Sequence, residues 1–163
     1  QVGLYLCTHP ELVRGKRVLE LGTGSGAGGI ICAGLEAQSV YLTDMPAALK
    51  LTADNIRANA KIVGTRCHVL PCQWGDAEHM AQIRAAAGVR TFDVIVASEC
   101  VYKQDPATFD ALVRTIESFS GQDTTVLVGY EFRGELFDDM HFFDQMLEHF
   151  DVETVALERP DGA

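Results

Sequence analysis

The chain has 163 residues, 47% of them apolar and 22% charged, which suits one domain with a buried core and excludes a disordered chain. A formal net charge of −10 argues against non-specific binding to nucleic acid, which needs a positive surface, and is compatible with a small ligand or a basic protein partner. No apolar run approaches the length of a membrane span, and no basic start leads into an apolar signal-like segment.

Six short stretches rich in β-branched and aromatic residues read as strands: "RVLEL", "SVYLTD", "RCHVLP", "FDVIVAS", "TTVLVGYEF" and "VETVAL". The first runs into "GTGSGAGG", whose exposed amide hydrogens at the start of a helix suit an anion or carboxylate. The loop contains two overlapping patterns. Gly22, Gly24 and Gly26 make a GxGxG; Gly24, Gly26 and Gly29 make the GxGxxG of dinucleotide sites. With a strand before and a helix after, nucleotide or nucleoside binding is the stronger reading over a flexible turn. Residues 27–37, small and apolar, suit a helix pressed onto a sheet.

The second strand ends in Asp44, 20 residues past Gly24, where an acidic side chain can accept ribose hydroxyls. Asp44 can instead cap a helix opened by Pro46, with Leu49, Ala53, Ile56 and Ala60 on one face. "PCQWGDAEH" follows the third strand. Its Trp74 suits either adenine stacking or a place in the core; Asp76 reads first as a helix cap. The fourth strand ends in "ASECVY", placing Glu99 and Tyr102 where a carboxylate can orient a cationic or amine substrate and a ring can wall it. Asp105 followed by Pro106 starts a helix that buries Phe109, Leu112, Val113, Ile116 and Phe119 and closes near Gly121. "YEFRG" brings Tyr130, Glu131 and Arg133 to the same rim. A last helix carries an apolar stripe of Leu136, Met140, Phe143, Leu147 and Phe150.

Strands alternating with helices predict an α/β fold, a mostly parallel sheet covered on both faces, with ligands beyond the carboxyl ends of the strands. Cys7, Cys32, Cys67, Cys72 and Cys100 are odd in number and form no CxxC, which reads as reduced thiols of a cytoplasmic or nuclear protein. The five histidines form no HxxxH or HExxH, so no metal site is expected.

"VLELGTGSGAGG", "YLTDMP", "CQWGD" and "ASECVY", in this order and at these intervals, resemble the seven-β-strand, S-adenosylmethionine-dependent protein-lysine methyltransferases known as methyltransferase family 16. The resemblance spans nearly the whole chain. It implies a Rossmann-like class I methyltransferase fold and one domain over residues 1–163. It implies S-adenosyl-L-methionine as cofactor, S-adenosyl-L-homocysteine as product, and a non-histone protein presenting a lysine as substrate. "LELGTGSG" then matches the first methyltransferase motif, with Glu20 ahead of the glycines, where nicotinamide dehydrogenases usually have an apolar residue. Gly22, Gly24 and Gly26 would line the methionine end of the cofactor, Asp44 would take the ribose hydroxyls and Trp74 would pack on adenine. Ala97 would lie near the cofactor. Glu99 and Tyr102 would be the catalytic pair, and Gly28 and Gly29 would ease helix packing. Family members commonly carry a tryptophan before the first strand and a seventh, antiparallel strand; neither is found here, so the sequence reads as a domain truncated at both ends. A small-molecule methyltransferase of the same fold and a non-catalytic binding module are the alternatives, with a nicotinamide oxidoreductase well behind.

Overall fold

A computed structural model describes residues 2–101, 105–132 and 136–155, and of residues 136–139 the backbone alone. Five parallel strands form one sheet in the order β3-β2-β1-β4-β5. They are β1 (Arg17–Leu21), β2 (Ser39–Asp44), β3 (Cys67–Pro71), β4 (Val94–Ser98) and β5 (Thr125–Gly129). Helix α1 (Val2–Thr8) and a short 3-10 turn (Pro10–Leu12) precede β1. The connections hold α2 (Ala27–Gly34), α3 (Leu49–Ala58), α4 (Ala60–Val63), α5 (Ala77–Ala87) and α6 (Pro106–Phe119); α7 (Leu136–His149) follows β5.

Alternation along the strands sorts the core into two layers. Val18, Val40, Leu42, Val94 and Val96 face a layer with Val2 and Leu6 of α1, Cys32 and Ala33 of α2 and Val63 of α4. Leu19, Leu21, Tyr41, Ile95 and Ala97 face the other, with Ile83 of α5, Phe109 to Phe119 of α6 and Phe142 and Met146 of α7. Because both faces are covered, the strands are apolar almost throughout rather than alternately polar. Strand order reverses between β1 and β4: the chain steps outward from β1 to β3, then returns to the other side of β1. Loops leaving β1 and β4 therefore diverge, and a crevice opens at their carboxyl ends.

Asp105 caps α6 as expected, accepting from the Thr108 amide at 3.0 Å, and all five forecast residues of that helix are buried. Asp76 caps α5 through the His79 amide at 2.9 Å. Other expectations need correction. Asp44 does not cap α3, which begins five residues later at Leu49 without a side-chain cap. Ala60 is exposed, and the buried residue of α3 is Thr52, whose hydroxyl donates to the Gly24 carbonyl at 2.8 Å. No strand forms over residues 152–155, and the rest of "VETVAL" lies outside the described residues.

In α7 the forecast stripe holds in part: Phe143 and Phe150 pack on the core layer of α5 and α6, and the Leu136 side chain lies outside the described residues. Met140 and Leu147 are 46% and 61% exposed, while Phe142 and Met146 are buried. Apolar residues occur on more than one side of this helix, so the partners decide: Phe142 meets Phe109 of α6 with ring centroids 6.0 Å apart, and Phe143 meets Tyr130 edge-on at 5.0 Å. Phe142→Ala is expected to lower unfolding free energy by about 3 kcal/mol or more, whereas Met140→Ala should fall within about 0.5 kcal/mol. Chemical denaturation of both variants checks the assignment.

Candidate active site at the carboxyl ends of β1 and β4

The glycine loop after β1 is tied down from all sides by its own chain. The Thr23 amide donates to the Thr43 carbonyl at 3.0 Å, and the Gly24 amide to Asp44 Oδ2 at 2.7 Å. From α3, Thr52 holds the Gly24 carbonyl and Asn55 Nδ2 donates to the Ser25 carbonyl at 2.8 Å. Gly22, Gly24 and Gly26 all have positive φ, at 66°, 53° and 82°. At Gly22 space is short as well: a Cβ would fall 2.7 Å from Cys100 Sγ.

Glu20 lies beneath this loop, facing α2 and only 4% exposed. Its Oε2 accepts from the Thr23 hydroxyl and from the Gly29 amide at 3.0 Å. A Cβ on Gly28 would come 2.2 Å from Glu20 Oε1, and one on Gly29 would come 2.4 Å from Leu42 Cδ2. The second half of the glycine run thus makes room for a buried carboxyl and for the sheet, in agreement with a packing role. Burial pushes the Glu20 carboxyl up to about 7, against the pull of the Thr23 and Gly29 bonds.

Two clefts meet at Gly22. The larger, about 660 Å³, lies toward β2 and α6 and is lined by Asp44, Met45, Gln73, Trp74, Glu99, Cys100, and Ala107, Thr108 and Ala111 of α6. The smaller, about 360 Å³, lies toward α1 and α2, with Glu20, Gly22, Thr23, Gly28 and Ser98 on its wall and Gly3 and Cys7 of α1 opposite. Of the expected site residues, the structure brings Gly22, Asp44, Trp74 and Glu99 into one cleft and Glu20 and Gly22 into the other. Gly24 and Gly26 shape the loop without lining either. Ala97 is fully buried within β4, opposite Leu21, and is a core residue rather than a wall of either cleft. Tyr102 and Arg133 lie outside the described residues; Glu131 is exposed.

Asp44 engages the backbone with both oxygens, Oδ2 to Gly24 and Oδ1 to the Met45 amide at 2.7 Å, and each keeps lone pairs for further donors. Trp74 packs on the α5–α6 core layer and also lines the cleft, its Cζ2 3.4 Å from where a Gly22 Cβ would lie. Cys100 and the small cleft were missed. Cys100 sits in plain view in "ASECVY", but only the contact with Gly22 shows its place. Among the described residues no three His, Cys, Asp or Glu side chains gather as metal ligands would, and no helix is long and apolar enough to cross a membrane.

A family model described as "Lysine methyltransferase" matches residues 4–149. The chain belongs to this lysine methyltransferase family. It is 31% identical over 154 residues to EEF1A lysine methyltransferase 3 of Mus musculus, covering 92% of this chain and 62% of that protein. It is 33% identical to protein N-lysine methyltransferase METTL21A of Danio rerio, covering 92% and 66%. The chain thus spans slightly under two thirds of these two curated relatives. Among solved structures, the S-adenosylmethionine-dependent methyltransferase SibL superposes with a TM-score of 0.62 at 19% identity, covering 86% of this chain and 40% of that one. Precorrin 8w decarboxylase from Methanobacterium thermoautotrophicum also gives 0.62, at 16% identity, covering 89% and 70%. These likenesses establish the Rossmann-like methyltransferase fold, with five strands described here.

Proposed function

We propose that this lysine methyltransferase family member is an S-adenosylmethionine-dependent protein-lysine N-methyltransferase acting on a non-histone protein. The observation that carries the reading is the pair of clefts sharing Gly22 at the reversal of strand order, one lined by Asp44 and Glu99 and the other by Glu20. An adenosine fits the larger, with Trp74 as an apolar face and the remaining lone pairs of Asp44 for ribose hydroxyls. An amino-acid head fits the smaller. Glu20 accepts the Thr23 and Gly29 hydrogen bonds on Oε2, and Oε1 lies against Gly28 on that cleft's wall with no protein donor among the described residues. A carboxylate oxygen so placed fits an ammonium group.

S-adenosylmethionine, when bound, supplies an electrophilic sulfonium methyl group. The chain's own task is alignment and delivery of a neutral amine. Free lysine ionises near 10.4, so the incoming side chain arrives as ammonium. Glu99, exposed on the wall of the larger cleft, captures and orients it. Glu99 favours the ammonium; a sulfonium bound beside the amine would disfavour a second positive charge, and the proton would then be lost to water before transfer. Tyr102, three residues on, is proposed as the aromatic wall of the slot.

Incubation of the protein with tritiated S-adenosylmethionine and a cell lysate tests the reading. A labelled protein band bearing methyl-lysine by mass spectrometry is the expected result; label confined to small molecules would assign the other methyltransferase class. Asp44→Ala is expected to weaken S-adenosylhomocysteine binding at least about tenfold by calorimetry, because it removes an acceptor and loosens Gly24. Unchanged affinity would remove Asp44 from the site.

A further inference from the structure

Two described residues other than glycine have left-handed backbones, Glu36 after α2 and Glu99, at φ 67° and 59°. A side chain with a Cβ occupies this region at a cost of roughly 1–2 kcal/mol, so the turn after β4 must be held there. Ties to the strands on either side of β4 hold it. The Glu99 amide donates to the Gly129 carbonyl of β5 at 2.9 Å. One residue on, Cys100 Sγ donates to the Leu21 carbonyl of β1 at 3.2 Å and lies 3.7 Å from the Ser98 carbonyl. The turn is clamped across the end of β4, and between its two anchors the Glu99 side chain is delivered to the larger cleft.

The same sulfur presses on Gly22, where it leaves no room for a Cβ, so Cys100 touches both the substrate-side turn and the cofactor loop. It is only 6% exposed. Burial and the negative charges of Glu20, Asp44 and Glu99 push the thiol up to about 12, so it remains a hydrogen-bond donor throughout the working range of pH.

We propose that Cys100 is a positioning residue for methyl transfer: it holds Glu99 in its left-handed, cleft-facing turn and fixes that turn against Gly22. The proposal rests on the reading of Glu99 as the amine-capturing group. It predicts that the thiol acts through Glu99, and a double-mutant cycle reads this directly. Transfer from tritiated S-adenosylmethionine to the lysate protein labelled by the wild type is measured at saturating cofactor. The variants are Glu99→Gln, Cys100→Ala, Cys100→Val, Cys100→Ser and the Glu99→Gln/Cys100→Ala double, and S-adenosylhomocysteine calorimetry verifies that each is folded. Either folded variant lacking a donor at residue 100 serves the cycle. Loss of the donor should slow transfer about tenfold, the equivalent of one buried hydrogen bond, while Cys100→Ser stays within about threefold of wild type. In the Glu99→Gln background, loss of the thiol should change the rate by less than about twofold. Additive losses, or a serine variant as slow as alanine, would overturn the positioning role while leaving Glu99 in place. A Glu99→Gln protein with the wild-type rate would overturn the reading of Glu99 and the role of Cys100 together.

Discussion

Glu20→Gln is expected to make the protein more stable at pH 8 and poorer at binding its cofactor. The folded-state carboxyl titrates at about 7, above its ordinary 4.5. Between those values the folded protein retains a proton that the unfolded chain has released, so stability falls as pH rises through this window and the loss is complete above pH 7. The full difference is on the order of 3 kcal/mol. Glutamine cannot ionise, retains an oxygen for Thr23 and Gly29, and should flatten the profile: little change in melting temperature at pH 5, a rise of several degrees at pH 8. Binding should run the other way. An ammonium group beside Oε1 favours the ionised carboxylate, so wild-type affinity for S-adenosylhomocysteine should fall as pH drops below 7. The variant should bind about tenfold more weakly at pH 8, with a flatter dependence. Melting curves and calorimetry at the two pH values check both halves. A variant that melts at the wild-type temperature at pH 8 would show that Glu20 is not held in a desolvated site.

The second large effect belongs to Glu99. Glu99→Gln keeps the size and exposure of the side chain and removes the charge. It should leave S-adenosylhomocysteine affinity within a few-fold, because Glu99 borders the larger cleft from the turn after β4 and forms no part of the glycine loop. Methyl transfer should fall about a hundredfold, as expected when a charged contact that orients the reacting amine is lost. A variant with intact transfer and weak cofactor binding would move Glu99 from substrate capture to the cofactor.

The features legible in the sequence were those whose cause is local. β1 and β2 were bounded by their short, largely apolar runs, and α6 by Asp105 and Pro106. The glycine loop and Asp44 were found because backbone turns and an acidic strand end have few substitutes. What escaped depended on partners distant in sequence. The inner face of α7 is chosen by Phe109 and Tyr130, so of the forecast stripe Phe143 and Phe150 pack inward while Met140 and Leu147 face outward. The part of α2 nearest the loop accommodates Glu20, a contact visible only once Gly28 lies against Oε1. Ala97 was assigned to the cofactor by likeness of motif, but the strand pleat turns its methyl group into the core. The smaller cleft needs α1, a seven-residue helix too short to announce itself, whose Gly3 lies against Ile31 of α2.

The ties on the glycine loop come from β1, β2 and α3: Glu20, Thr43, Asp44, Thr52 and Asn55 hold residues 23–29 by contacts wholly within the protein. The ordering of that loop is therefore an expense of folding rather than of binding. A ligand entering the two clefts meets a surface already shaped for it, and its association should proceed as a single fast encounter, without the slow isomerisation that a loop folding around its guest would impose.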